Sequence, residues 1–161
     1  MTRLVLETDV HAPADRCFDL SRDIDLHSRS MAASGERAVA GVTSGLIGPG
    51  QQVTWQARHF GLRWRMTSRI AHYERPRRFV DEMVRGPFAA WRHEHRFEAH
   101  PGGTRMVDAA VYRLPLGPLG RLADVLVVRR HMRRLLQERN RHIKLAAERP
   151  LPRGDDSLTE R

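Results

Sequence analysis

Two histidines on one strand are the residues of this sequence whose types and spacing best suit chemistry. His93 and His95 lie within residues 91–98, where aromatic or imidazole side chains alternate with charged ones. Such alternation is typical of a β-strand, and it puts both imidazoles on one face, about 7 Å apart. Trp91 and Phe97 share that face. An apolar face holding a few titratable groups is typical of the inside of a small-molecule cavity.

The next strand determines which other polar groups join this face. If the loop near residue 102 has an even number of residues, Asp108 and Tyr112 lie on the same side as the histidines. An odd number would present the alternate residues instead, among them Arg105 and Arg113. We favour the even loop because it keeps both arginines off the inner face.

His93, His95 and Asp108 support several kinds of chemistry. A carboxylate beside an imidazole can orient the ring and raise its pKa, so His95 or His93 would be a general base and Tyr112 an acid or oxyanion donor. The same three residues suit a metal ion, but two ligands at i and i+2 without a fixed third are a weak metal signal. They also suit structural hydrogen bonds. We favour contact with a bound ligand, and expect no metal and no organic cofactor.

A hairpin is predicted on the same sheet. Residues 53–59 and 62–70 both alternate between apolar and polar side chains, and a two-residue turn between them fixes their register. This register puts Trp55 beside Met66 and brings Trp64 to the same side. Both apolar faces then point to one side of the sheet, as a hairpin over a core requires.

The inward face of residues 79–85 stays open at this point. A two-residue turn at Gly86 and Pro87 would put Glu82 opposite Trp91, and any other register would turn Asp81 inward. Either carboxylate is a candidate for the cavity, and we include Glu82 among the predicted ligand contacts.

Helices are predicted near both ends of the chain. One covers residues 13–20, with proline in its first turn, a second covers residues 23–28, and a weaker strand follows at 36–42. The longest helix covers residues 118–148 and has arginine on most of its surface. Its apolar stripe repeats at helical spacing and consists of Leu122, Val125, Val128, Met132, Leu135 or Leu136, and Ile143.

Composition limits the class of protein. The 161 residues are most simply one domain, expected over residues 1–149, with a disordered tail at 150–161. Cys17 is the only cysteine, which excludes an intramolecular disulfide and a cysteine zinc cluster. The net charge is +9, and all basic side chains except Lys144 are arginines. The sequence contains no nucleic-acid-binding motif beside them, so we expect no binding of nucleic acid. Since no apolar run reaches the ~18 residues of a membrane span, we expect a soluble cytoplasmic protein.

The order of elements resembles the superfamily of START domains, birch pollen allergens and polyketide cyclases, and within it a bacterial single-domain branch. The similarity covers roughly residues 2–147, and residues 10–20, 86–112 and 114–120 carry its motifs. It implies an α+β helix-grip fold, in which a curved antiparallel sheet of six to seven strands wraps around the C-terminal helix. Members include lipid carriers, quinone-binding proteins, hormone receptors and cyclases, so the resemblance does not identify the ligand.

We predict first that the protein binds or transports a hydrophobic small molecule, such as a lipid, a quinone or a polyketide-like aromatic. The expected apolar contacts are Trp55, Trp64, Met66, Trp91, Phe97, Tyr112 and Met132. The expected polar contacts are Glu82, His93, His95 and Asp108.

Two alternatives stay open beside this prediction. One is a cofactor-free cyclase or dehydratase that uses His95 or His93, Asp108 and Tyr112 in the same cavity. The other is docking on an anionic membrane or an acidic partner through the arginine-rich last helix. The sequence leaves the oligomeric state open.

Overall fold

The structure, a computed structural model, describes residues 1–150, which form seven strands and four α-helices. The strands are β1 (Thr2–Val10), β2 (Arg37–Gly41), β3 (Gln52–His59), β4 (Leu62–Glu74), β5 (Arg78–Arg85), β6 (Ala90–His100) and β7 (Gly103–Arg113). The helices are α1 (Ala14–Ser21), α2 (Ile24–Ser30), α3 (Gly117–Ala123) and α4 (Arg129–Glu148). Of the predicted disordered tail, residues 151–161 lie outside the described residues.

One antiparallel sheet contains all of these strands, in the order β1-β7-β6-β5-β4-β3-β2. The two registers predicted from turn length are confirmed. Trp55 pairs with Met66 across β3 and β4, and His95 pairs with Asp108 across β6 and β7. Since side chains alternate along each strand, the inner face of β6 and the inner face of β7 meet as expected.

The pairing of β5 with β6 settles which carboxylate faces inward. Asp81 pairs with His93 and lies on the inner face, whereas Glu82 pairs with Arg92 on the outer face. Glu82 Oε1 lies 3.6 Å from Arg92 Nε there. The predicted contact of Glu82 with a ligand is therefore wrong, because an odd number of residues separates the paired positions at this connection.

A solid aromatic core fills one end of the inner face, beneath α1. Phe18 of α1 packs edge-on against Tyr73, Phe79 and Phe97, with ring centroids 5.2 to 5.4 Å apart. These contacts fix the first helix on the sheet. They also place Phe97 in the core rather than in a cavity, which corrects its predicted role as a ligand contact.

The long C-terminal helix is present, but a π-helical turn at Asp124–Val128 divides it. Beyond this turn, Leu136 and Ile143 of α4 are buried against the sheet, as the stripe predicts. Leu122, before the turn, and Val125, within it, are 56% and 63% exposed. The extra residue of a π turn shifts the helical register, so Leu122 and Val125 do not continue the buried stripe of α4. No helix within residues 1–150 is long and apolar enough to span a membrane.

Candidate functional site: a cavity between the sheet and the last helix

A cavity of about 440 Å³ lies between the inner face of the sheet and the C-terminal helix. This volume falls within the range of small-molecule sites, which is roughly 300–1,000 Å³. Of the predicted contacts, seven line the cavity, namely Trp55, Trp64, Met66, Trp91, His93, His95 and Met132. All three tryptophans of the sequence are among them.

A cluster of ionisable side chains forms the polar end of the cavity, and we call Asp81, His93, His95 and Asp108 the polar cluster. His95 Nδ1 lies 2.6 Å from Asp108 Oδ1, and His95 Nε2 lies 3.2 Å from Asp81 Oδ2. The two imidazole rings are 3.9 Å apart between centroids. His95 therefore lies between two carboxylates, one from β5 and one from β7.

Asp108 lies behind the histidines, outside the cavity lining, and α4 holds it in place. The amide of Asn140 donates a 2.7 Å hydrogen bond to Asp108 Oδ2, and Arg139 Nη1 lies 3.5 Å from Oδ1. Arg139 also donates to the backbone oxygen of Ser21 at 2.8 Å. Asp108 is therefore a positioning group for the histidines rather than a direct ligand contact, which corrects its predicted placement in the cavity.

Burial and charge act against each other on these groups. Burial alone would raise the pKa of Asp108, but the charge and hydrogen bonds of His95 and His93 outweigh it and hold that pKa well below its usual range. Burial lowers the pKa of His93, and the neighbouring His95 lowers it further, against the opposing influence of Asp108 and Asp81. The site thus favours an ionised Asp108 beside a neutral His93.

Tyr112 serves a different purpose from the one predicted. Its hydroxyl donates a 2.6 Å hydrogen bond to Asp124 at the start of the π-helical turn, and Thr2 donates to the same carboxylate. Burial raises the pKa of Tyr112, and the hydrogen bond to Asp124 adds to the increase. Because Tyr112 does not line the cavity, its placement as a ligand contact or a catalytic acid is corrected to a structural one.

A second polar pair lines the wall formed by α2 and β3. His27 Nε2 lies 2.8 Å from Glu36 Oε1, and the His27 ring lies on Trp55 with centroids 4.2 Å apart. Burial raises the pKa of Glu36, but the hydrogen bond and charge of His27 bring it below the usual value. This pair gives the cavity wall a further hydrogen-bonding site.

The cavity opens between the β3–β4 turn and the start of the last helix. Phe60, Leu116 and Leu119 line it there and are 57%, 76% and 70% exposed. Leu122 and Leu126 follow Leu119 in the chain, are also exposed and do not line the cavity. We call these five residues the apolar mouth. His59 and His131 also line this end, with His131 Nε2 3.1 Å from His59 Nδ1.

Comparisons with known proteins agree with this architecture. The fold, a seven-stranded antiparallel sheet around a C-terminal helix, is the helix-grip fold. Residues 1–148 match the family model described as polyketide cyclase / dehydrase and lipid transport, so the chain belongs to this family. Among curated proteins, none matches.

Solved structures with little sequence identity share the fold. Protein TTHA0849 from Thermus thermophilus is 21% identical with a TM-score of 0.71, over 92% of this chain and 100% of its own. Protein Ms6760 from Mycobacterium smegmatis is 14% identical with a TM-score of 0.67, over 93% of each chain. The major latex-like protein 151 of Panax ginseng is 14% identical with a TM-score of 0.64, over 92% of this chain and 98% of its own. At these identities the likeness concerns the fold alone.

Sequence reasoning missed several residues of the site. Arg139 and Asn140 lie on the buried stripe of α4 between Leu136 and Ile143, and polar residues at stripe positions were the available signal. The pairing of His27 with Glu36 joins a helix to a loop, and no spacing in the sequence indicates it.

Proposed function

We propose that the protein binds and carries a hydrophobic small molecule that bears one polar group. The observation that carries this proposal is a cavity with mostly apolar walls and one cluster of buried ionisable groups. Small-molecule sites typically combine such walls with a few polar groups that fix orientation. The apolar part of the ligand would contact Trp55, Trp64 and Trp91.

The ligand's polar group would lie against His93, His95 and Asp81. His93 and His95 follow Trp91 along β6, Asp81 of β5 pairs with His93, and both histidines are buried. A hydroxyl, carbonyl or carboxyl group could accept or donate a hydrogen bond there, in surroundings where an unpaired polar group is costly. Lipids, quinones and polyketide-like aromatics all have this combination of an apolar body and a polar oxygen.

Mass spectrometry of the freshly purified protein, native and then solvent-extracted, tests the proposal. We expect one apolar compound per chain in the wild type. Ala57 is buried in the cavity wall, so Ala57→Phe should fill the space and lose the compound. Ala99→Phe, the same change at an exposed position of β6, is the matched control and should keep it. Equal amounts of the compound in all three proteins would contradict binding in this cavity.

A cofactor-free cyclase or dehydratase is a second candidate, favoured by the 2.6 Å contact between His95 Nδ1 and Asp108. That contact suits a base and its orienting carboxylate. The hydrogen bond of Tyr112 to Asp124 removes the predicted acid, so the cavity lacks one partner of the expected mechanism. If the protein is an enzyme, His95→Ala should abolish turnover and leave ligand binding largely intact. Loss of binding in proportion to turnover favours the carrier.

Docking on an anionic membrane is a third candidate, favoured by the apolar mouth. Exposed arginines lie in the same segments as these side chains, including Arg63, Arg121 and Arg130. Apolar side chains that enter the lipid interface, flanked by basic ones, are typical of peripheral membrane binding. A carrier that docks in this way would present its opening directly to the source of an apolar ligand.

A further inference from the structure

We propose that Asp81, His93 and His95 bind one divalent transition-metal ion, with a remaining coordination position open to the cavity. Their candidate ligand atoms all lie within 4.8 Å of one another. The ion would lie at the polar end of the proposed ligand site and could receive the ligand's polar oxygen. This last step rests on the proposed function, whereas metal binding itself does not. The proposal replaces the sequence-based expectation of no metal.

The distances between the ligand atoms suit a common ion. Asp81 Oδ2 lies 3.2 Å from His95 Nε2 and 3.7 Å from His93 Nδ1. Atoms bound at about 2.0–2.1 Å in a tetrahedral zinc site lie about 3.3 Å apart. Small side-chain adjustments would therefore bring the three atoms onto one ion. Each comes from a strand of the same sheet, which limits how far they can move.

Each of these three side chains also has a second polar atom, which would point away from the ion and already contacts a partner. His95 Nδ1 and His93 Nε2 lie 2.6 and 3.2 Å from Asp108 Oδ1. Trp91 Nε1 donates to Asp81 Oδ1 at 3.2 Å, which leaves Oδ2 directed at the histidines. Metal-binding histidines typically have a carboxylate on their second nitrogen, and that contact orients the ring. Asp108 would serve both rings in this way.

The arrangement of two carboxylates around two histidines calls for positive charge at the polar cluster. If His95 is neutral and donates its Nδ1 proton to Asp108, its Nε2 lone pair faces the Asp81 carboxylate, and two acceptors repel. A protonated His95 would instead donate to both carboxylates, so a metal ion and this proton would compete for the same place. His93 is buried, and its Nε2, although 3.2 Å from Asp108 Oδ1, forms no hydrogen bond within the described residues. Of the two carboxylates, Asp108 lies beside the guanidinium of Arg139, whereas Asp81 contacts the two histidines and Trp91. A divalent ion would accept the convergent lone pairs and compensate the excess negative charge.

The chemistry of the donors limits the class of ion. Two imidazoles with one carboxylate suit zinc, ferrous iron and similar first-row ions better than calcium or magnesium, which prefer oxygen ligands. Three protein ligands with an open fourth position are typical of zinc sites that contact a bound molecule. We therefore use Zn²⁺ for affinity and Co²⁺ for spectroscopy.

The test is calorimetric titration of the EDTA-treated and dialysed protein with Zn²⁺, together with the visible spectrum after Co²⁺ is added. We expect one ion per chain and cobalt absorption bands of a low-coordinate site. Asp81→Asn, which preserves shape, and His93→Asn should each weaken Zn²⁺ binding by more than about 100-fold, since the loss of an outer contact costs about 10- to 100-fold. Near-ultraviolet circular dichroism confirms that each variant is folded.

Two control variants separate this site from other histidines. His131→Ala removes the histidine pair at the cavity opening, and His72→Ala removes an exposed histidine of β4. Both should bind Zn²⁺ as the wild type does. Binding that is lost in His131→Ala and kept in Asp81→Asn would overturn the proposal, as would the absence of stoichiometric binding in the wild type.

A parallel measurement keeps the two proposals distinguishable. Binding of an apolar probe, 1-anilinonaphthalene-8-sulfonate, is measured in EDTA and again with Zn²⁺. Probe binding without any Zn²⁺ binding overturns the metal site and leaves the carrier proposal intact. Zn²⁺ binding that requires Asp81, without any apolar compound bound, supports the metal site and contradicts the carrier.

Discussion

At the inner end of the cavity the polar side chains are joined across four elements, whereas the side chains around its opening are apolar and exposed. Asp81, His93, His95 and Asp108 come from β5, β6 and β7, and α4 supplies Arg139 and Asn140. The apolar mouth comes from one hairpin turn and the first part of the last helix. The contrast separates a rigid end, which orients a ligand, from an end that is available to another surface.

This difference has opposite consequences for stability and for binding. A buried charge destabilises the fold when its partner is removed, so a substitution at the polar cluster should lower the free energy of unfolding strongly. Exposed leucines contribute little to folding, so a change at the apolar mouth should leave stability nearly intact. Mutations at the two ends should therefore separate stability from membrane affinity.

The largest effect is expected from Asp108→Ala. The change leaves the buried Arg139 guanidinium without its carboxylate and removes the partner of both histidines. Breaking a buried pair on one side costs about 3–5 kcal/mol, so urea unfolding should show a loss of that size. Asp9→Ala, at an exposed carboxylate on β1 near Arg105, should cost under about 1 kcal/mol. Equal losses in the two variants would remove the distinction between the polar cluster and the surface.

A smaller effect is expected from pH. The pKa of His93 is lowered in the folded protein from an ordinary value of 6.5, so the unfolded chain takes up the proton first as the pH falls. Stability should therefore decrease below about pH 6.5, by up to about 1.4 kcal/mol per pH unit for this proton. The depressed pKa values of Asp81 and Asp108 act in the same direction, but only below the ordinary carboxyl value of 3.8.

His93→Asn isolates the histidine part of this dependence. Unfolding free energies measured from pH 7.5 to pH 5 should fall less steeply in the variant than in the wild type. His72→Ala, at an exposed position, should leave the slope unchanged. A variant slope equal to that of the wild type would show that His93 titrates alike in both states.

The smallest effect on stability is expected at the apolar mouth. Leu119→Ser combined with Leu126→Ser should change the free energy of unfolding by less than about 1 kcal/mol, because both side chains are mostly exposed. Co-sedimentation with vesicles of phosphatidylglycerol and phosphatidylcholine should nevertheless fall about ten-fold, since each leucine would bury apolar area in lipid. Equal vesicle binding by the wild type and the double variant would contradict membrane docking by this surface. Wild-type binding that does not change with salt concentration would contradict it as well.

Turn length explains why part of the site was predictable. An even count of residues between two antiparallel strands fixes which faces coincide, and this placed Asp108 opposite His95 and Trp55 beside Met66. The β5–β6 connection has no such simple turn. Alternation along each strand was therefore insufficient to choose between Asp81 and Glu82.

Other features depend on tertiary packing, which periodicity does not report. Phe97 lies on the same face as His93 and His95, but the aromatic rings beneath α1 fill its surroundings. A shared face thus does not distinguish the cavity from the solid core. The π-helical turn similarly exposes Leu122 and Val125, although both fit the helical repeat of the buried stripe.

The most direct test of the carrier is titration of intrinsic fluorescence. Trp55, Trp64 and Trp91 are the three tryptophans of the chain and all line the cavity, so the emission of the protein reports on occupancy. Titration with fatty acids, a ubiquinone analogue and an anthraquinone should give, for at least one class, a saturable change with one site per chain. Ala57→Phe should abolish this change and Ala99→Phe should retain it. No saturable change with any class, or equal changes in both variants, would contradict a ligand-binding cavity.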